Sequence, residues 1–571
     1  LAIVPVAFDD CLGWLHPAAG GRGVVLCSAF GYEELCSRRT MYELAQTIAR
    51  AGLPVLRFDY HGTADSTGSG EDAERVATWI SNIGAAVDVL RRETGVAEVA
   101  LVGLRLGALL AAHAAAERDD IAALALLAPP KSGRAYVREL EALAHLLVAP
   151  SGETPAFAGL EVAGFRVAHA TLDSLSRLDW PQRATQPASR LLVMSPDHVR
   201  TKAVAARLGK LGASLEEVPF DAYAQMMCDP TASVVPAQAV ARLTVWLAAD
   251  APNTGASPVA HRKPVLVGEH YVETPAVLCE SGGLVGIYCR ALTGEQPRKA
   301  VVFVNAGAIY HIGWARMYVE MARELARSGI ASLRLDLAGI GDSEAPPEGA
   351  PALYTVLTED IRAAIDWLEL RGIRDLTVFG SCSGAYQAFH AAISDRRIKR
   401  IALVNQLCFV WGPAYAVQLE AWRRTKATEV AARLDVGDAA IPAMSARGLF
   451  ARAIPPAKRM VKFVLRHATN GFVRGNVLWS GKNPVERWFE ELSRRGTQVL
   501  LVYGDNDPGL DELERYMGMD GHRATALPGV SRRLIENTDH TFTPTEARRR
   551  LRETLHTFVA GSKSASASTP G

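Results

Sequence analysis

The feature that most constrains what this chain can fold into is that it contains the same pattern twice. AGLPVLRFDYHGTADS, beginning at Ala51, returns as SGIASLRLDLAGIGDS, beginning at Ser328. Gly52 then aligns with Gly329, Asp59 with Asp336, and Asp65 with Asp342. GLRLG at 103–107 aligns with GSCSG at 380–384, and IAALALL from Ile121 with IKRIALV from Ile398. Every pair stands 277 residues apart. A register held over so long a stretch marks a duplicated domain. The offset then grows to 309, between LLVMS at 191–195 and LLVYG at 500–504, so the second copy carries about 32 extra residues between core strands.

Within each copy, short apolar runs alternate with amphipathic stretches. VVLCSAF, PVLRFDY and EVALVGL read as strands, and MYELAQTIARAG and GALLAAHAAAE as helices. The second copy repeats this with AVVFVNAG, ASLRLDL, DLTVFGS, ARMYVEMARELARSG and GAYQAFHAAIS. Strand–helix alternation requires crossover connections, hence an α/β fold with a mostly parallel sheet covered on both faces. LVGEHYVETPAVLCESGGLVGIYCRAL adds antiparallel strands at the start of the second sheet. The reading is one domain over 1–250, a linker at 251–264 (APNTGASPVAHRKP), a second domain over 265–560, and a disordered tail at 561–571.

A strand running into G-x-nucleophile-x-G and then a helix is the nucleophile elbow of α/β-hydrolases, whose glycines permit the sharp turn. In the second copy it reads Gly380-Ser381-Cys382-Ser383-Gly384. The frame centres Cys382 rather than its serine flanks. A thiol nucleophile needs a base, an orienting acid and an oxyanion hole. After QVLLVYG comes Asp505-Asn506-Asp507, of which Asp507 fits the acid position better, and His540 lies in NTDHTFTP before the last helix. The expected oxyanion donors are the backbone N–H of Ser383 and one from the loop Asn305–Ala308, assigned to Ala308; His311 in that loop is read as structural. The first copy fails each test. Arg105 occupies its elbow, and a guanidinium cannot attack a carbonyl. His198 stands where Asp507 would, and no histidine follows between 199 and 260. Arg105 is left as scaffold or as a holder of an anionic group of substrate or partner.

Composition narrows the function. With 62 basic and 61 acidic residues the net charge is +1, which argues against a dedicated nucleic-acid binder. No apolar run reaches the length of a membrane span, and LAIVPVAFDDCLGWLHP lacks a signal-peptide pattern. The 8 cysteines show neither CxxC nor zinc spacing. The expectation is a cytoplasmic protein with reduced thiols, no metal and no cofactor.

FGYEELCSRRTM, RFDYHGTADSTG, GLRLGALLA and LLAPPKSGRAYVREL resemble the α/β-hydrolases called type 2 of exosortase-A-associated systems. VNAGAIYHIGWAR, RLDLAGIGDSE and the cysteine elbow resemble type 1. The resemblance implies two tandem α/β-hydrolase domains, a fusion of two normally separate partners, with acyl chemistry in the second. The residues point to a cysteine-based thioesterase or acyltransferase, because moving an acyl group from a CoA or acyl-carrier-protein thioester to a cysteine exchanges one thioester for another. A cysteine-dependent ester or lactone hydrolase and a non-catalytic binding protein are the alternatives.

The extra residues of the second copy fall where this fold inserts a cap, at about 412–495. That stretch holds 15 Lys and Arg against 7 Asp and Glu, an excess of +8 in a chain that totals +1. Arg423, Arg424, Lys458 and Arg459 are therefore expected either to form the solvated face of an ordinary lid or to recruit an anionic donor.

Overall fold

The computed structural model describes residues 3–146, 157–181, 188–196, 204, 214–252, 264–278, 283–346, 349, 355–412 and 483–561. Arg423, Arg424, Lys458, Arg459 and His198 lie outside them, as do most of the expected linker and tail.

The first domain contributes strands β1 (Val4–Phe8), β2 (Cys11–His16), β3 (Arg22–Cys27), β4 (Val55–Phe58), β5 (Glu98–Leu104), β6 (Ile121–Leu127), the small hairpin β7 (Gly159–Val162) and β8 (Phe165–Ala168), then β9 (Arg190–Ser195) and β10 (Ser214–Pro219). The second contributes β11 (Leu266–Val267), β12 (Tyr271–Val277), β13 (Val285–Ala291), β14 (Lys299–Val304), β15 (Ala331–Asp336), β16 (Asp375–Ser381), β17 (Ile398–Val404), β18 (Gln498–Gly504) and β19 (Val530–Ile535). The first main sheet runs β1-β2-β4-β3-β5-β6-β9-β10 and the second β11-β12-β13-β15-β14-β16-β17-β18-β19. Past the antiparallel opening strands, both sheets are parallel and in the same order. Two mostly parallel sheets with helices on both faces are what the alternation of runs requires.

The reversal of order at β4-β3-β5 and β15-β14-β16 puts the carboxyl ends of β5 and β16 at the point where a site forms in open parallel sheets. The helix after each elbow, Leu106–Ala116 or Ser383–Ser394, is rich in buried alanine and glycine, which lets it lie close against its sheet. The expected cap segment ends on a regular element. Pro484–Arg494 is a helix that sinks Val485, Phe489 and Leu492 into the second core, so only 413–482 of that segment lies outside the described residues.

The two domains meet as the subunits of a twofold dimer would. Arg57 pairs with Asp342 at 2.8 Å, and its repeat mate Arg334 pairs with Asp65 at 2.8 Å. Arg39 reaches the carbonyls of Gly341 and Ser343, while Arg316, 277 positions on, reaches those of Ala64 and Ser66. Apolar contacts between Leu12, Trp14, Leu266, Val285 and Ile287 complete the seam. His311, fully buried, donates from Nδ1 to Asp336 (2.7 Å) and from Nε2 to Asp65 (2.5 Å). This agrees with its reading as structural. Although His311, Asp336 and Asp342 lie within 4.8 Å of one another, Arg38 and Arg57 hold Asp342 and the histidine holds Asp336.

Candidate functional site

Strand β16 delivers Cys382 in a backbone conformation that side chains rarely take, φ 55° and ψ −118°. Such strain costs about 1–3 kcal/mol and persists only where the surroundings enforce it. Here they do. A Cβ on Gly380 would lie 2.0 Å from the Gly384 carbonyl oxygen, and one on Gly384 would lie 2.4 Å from that of Asn305. The turn can therefore close only with glycine at both ends. Among the described cysteines Cys382 alone is not buried. The elbow lifts it out of the core, whereas burial pushes the thiols of Cys11, Cys27, Cys36, Cys289 and Cys408 upward.

Asp507 caps the helix Pro508–Met517. Its Oδ1 accepts the Gly509 N–H at 2.8 Å, and Pro508 fixes the first turn. The other oxygen, Oδ2, is left for His540 Nδ1 at 2.6 Å. Cys382 acts on the same imidazole, by its charge and by a side-chain hydrogen bond. Burial alone would lower the His540 pKa, but the negative charge of Cys382 and the hydrogen bond to Asp507 outweigh it and hold the imidazole well above its ordinary value. The three side chains named from sequence thus converge at one place, in the order thiol, imidazole, carboxylate.

The loop after β14 lies directly over the elbow. The Gly307 N–H donates to Ser383 Oγ at 2.8 Å, so the serine beside Cys382 ties loop and elbow together through its side chain. Among the described residues, no hydrogen bond engages the backbone N–H of Ser383 or of Ala308. The first domain reaches this loop as well: a Cβ on Gly307 would meet Thr231 Oγ1 at 2.6 Å.

Sequence reasoning missed Asn405. Fully buried at the end of β17 with φ 46°, its side chain accepts the Gly504 N–H at 2.9 Å and donates to the His540 carbonyl at 2.8 Å. It therefore fixes the histidine loop to the end of β18. A signal was present, since the repeat puts Ala128 at this position, also at positive φ (44°), in the copy that lacks a base.

The elbow of the first domain is a close copy in backbone, with Arg105 at φ 54° and ψ −118°. Its side chain is spoken for. Arg105 donates to Glu33 at 2.6 Å, pairs with Glu139, and lies over the Tyr136 ring, whose hydroxyl also donates to Glu33. Two carboxylates of its own domain thus neutralise the guanidinium.

Both halves match known families. Residues 299–546 match the family described as alpha/beta hydrolase fold, and residues 22–184 match the one described as serine aminopeptidase, S33. In the second match the elbow centre is Arg105, not serine. The Escherichia coli (strain K12) protein YcjY is 38% identical over 87 residues, 15% of this chain; the chain spans 28% of that relative's length. Solved structures similar to this chain include Est1E from Butyrivibrio proteoclasticus (17% identity, 43% of this chain and 96% of that one, TM-score 0.31). Another is an alpha-beta serine hydrolase homologue from Coxiella burnetii (12% identity, 53% and 100%, TM-score 0.29). No helix among the described residues is long and apolar enough to cross a membrane.

Proposed function

We propose that this chain, two α/β-hydrolase folds in tandem, is an acyl-transfer enzyme that works through Cys382 of its second domain. The observation that carries this reading is the pairing of His540 with Asp507 on one side and Cys382 on the other. An imidazole held protonated beside a thiol corresponds to a thiolate–imidazolium pair, the reactive form of a cysteine nucleophile. Asp507 fixes the ring and stabilises its charge.

In the first half-reaction the thiolate attacks the carbonyl of an acyl donor. The tetrahedral oxygen takes hydrogen bonds from the backbone N–H of Ser383 and of Ala308. The C–S bond of the donor breaks, its thiol leaves with the proton from His540, and the acyl group remains on Cys382. In the second, His540 takes a proton from water or from an acceptor nucleophile, which attacks the acyl-cysteine and regenerates the thiolate. A donor that is itself a thioester, carried by CoA or an acyl carrier protein, makes the first exchange nearly energy-neutral. The basic stretch bearing Arg423, Arg424, Lys458 and Arg459 would draw such a donor in, which is the cap reading carried forward.

The first domain acts as scaffold. Its elbow is closed by the Arg105–Glu33–Glu139 cluster, while its Thr231 packs against the Gly307 loop of the second. Intact-mass spectrometry after incubation with a panel of acyl thioesters tests the proposal. The expected result is an acyl adduct on Cys382, lost in Cys382→Ala. No adduct from any donor, with Cys382 intact and alkylatable, would overturn it. Reversing Arg423, Arg424, Lys458 and Arg459 to Glu should lower kcat/KM for CoA- or carrier-bound donors and spare a short uncharged thioester. Equal losses on both would remove the recruitment role.

A further inference from the structure

Between the domains, away from Cys382, lies a cavity of about 40 Å³ lined by Phe30, Gly62, Arg75, Phe165, Ile312 and Arg316, among others. Two of these side chains are buried guanidiniums that have carboxylates in range, Asp72 and Glu74 for Arg75 and Glu320 for Arg316, but none in direct contact. Arg75 is 0% exposed and Arg316 8% exposed, and neither forms an ion pair among the described residues. Arg316 spends its donors on the carbonyls of Gly62, Ala64, Ser66 and Gly68. Arg75 makes two long bonds, to Gly62 O at 3.5 Å and Arg166 O at 3.2 Å, and its Nε has no partner. It is held in place by stacking, with its guanidinium carbon 4.9 Å from the Trp79 ring centre and 5.7 Å from that of Phe30.

The surrounding carboxylates are engaged elsewhere. Asp72 binds His61 and the Ser69 N–H. Glu74 accepts from the Val76 N–H and from Ser174. Glu320 pairs with Arg166 and Arg552, and Glu34 accepts from Tyr310 and Arg38. Glu34, which lines the same cavity, is pushed up to about 7 by burial, so its charge is reduced near neutrality. Burial, then repulsion from Arg316, pushes Arg75 down to about 10; burial and then Arg323 do the same to Arg316. A charge removed from water needs a partner, and among the described residues neither arginine has a carboxylate in ion-pair contact.

We propose that this cavity binds one small oxyanion, held by the under-used guanidinium of Arg75 of the first domain beside the charge of Arg316 of the second. A guanidinium offers a planar fork that matches two oxygens of such an anion. The volume suits a free ion of the size of sulfate or phosphate, or a short carboxylate. The anion would bridge the domains and relieve the repulsion between two buried cations.

Isothermal titration calorimetry of the full chain in a low-salt buffer, with sodium sulfate, sodium phosphate and sodium acetate in turn, tests this. Saturable one-to-one binding of sulfate or phosphate is expected; binding of acetate alone would assign the same chemistry to an organic carboxylate. Arg75→Met should abolish it. Arg75→Lys keeps the charge but not the fork and should weaken it by about tenfold or more, with an unchanged circular dichroism spectrum. Should Arg75→Met fail to fold, the Lys variant and a bromide-soaked crystal of the unaltered chain decide, with an anomalous peak expected beside Arg75. No saturable binding by any of the three salts, equal affinity in Arg75→Lys, or a bromide peak elsewhere would overturn the proposal.

Discussion

The Asn405 carboxamide donates to the backbone carbonyl of His540 at 2.8 Å while accepting from Gly504 at 2.9 Å. The ends of β17, β18 and the histidine loop are thereby joined through one buried side chain. Asn405 acts through the His540 loop, so it is a positioning residue. Asn405→Gly tolerates the φ of 46° but loses both bonds. On the proposed mechanism it should lower kcat by about 10- to 100-fold with KM little changed, since small misplacements of a catalytic base are costly. Its pH profile should also shift as His540 loses its fixed orientation. A variant with native kcat and an unshifted profile would reduce Asn405 to a fold-only role.

Cys382→Ala should abolish turnover and leave the fold intact. A finer test is alkylation. With His540 held protonated beside it, Cys382 should react with iodoacetamide at a rate that falls little between pH 8 and pH 6, whereas an ordinary thiol loses about tenfold per unit. His540→Ala should restore the ordinary slope. If the native slope is already ordinary, the ion pair does not exist and the base assignment fails.

Much of this was legible in the chain. The 277-residue register announced the duplication, and the G-x-C-x-G frame picked Cys382 because backbone sterics at Gly380 and Gly384 leave no other arrangement. Asp507 and His540 followed from where strands feed loops. What escaped lies between elements distant in sequence. Arg57 and Arg334 sit within fully buried strands, and a charge there demands a partner, but nothing local tells that each partner belongs to the other domain. Arg105 likewise stayed open between scaffold and anion holder because Glu33 and Glu139 lie 72 and 34 residues away.

Arg105→Ala should leave kcat and KM on any donor close to native. Its cost should fall on stability, because Glu33 loses its cationic partner in a half-buried site. A loss of about 1–3 kcal/mol in urea unfolding is expected. A large rise in KM with unchanged kcat would instead return the guanidinium to an anion-binding role.

Arg334 is fully buried between Asp65 of the first domain and Glu273 of its own. Arg334→Met takes one of two cationic partners from each of Asp65 and Glu273, which keep His311 and Arg323, and should cost about 1–3 kcal/mol. Arg57→Met, its repeat mate, should behave alike through Asp342, which keeps Arg38. Calorimetry should show the two domains unfolding at separated temperatures in these variants if the crossed pairs hold them together. A single transition with an unchanged midpoint would mean that the apolar seam suffices.

His311 joins the domains through Asp336 and Asp65, and burial, which would lower its pKa, is outweighed by these two carboxylates, leaving it pushed up to about 10. The folded form therefore holds a proton that the unfolded chain releases near pH 6.5. Its contribution to stability is complete below about pH 6.5 and drains away as pH rises toward 10, by at most about 1.4 kcal/mol per unit. The depressed Asp65 works in the opposite direction: burial would raise it, but His311 and Arg334 hold it down, and its contribution is lost in acid. Thermal midpoints measured from pH 6 to 10 should consequently fall on the alkaline side in the native chain. His311→Gln keeps hydrogen-bonding capacity but cannot titrate, so it should start lower at pH 6 and show a flatter alkaline slope. Parallel curves for the two proteins would show that His311 carries no linked proton, and the buried imidazolium between the domains would have to be abandoned.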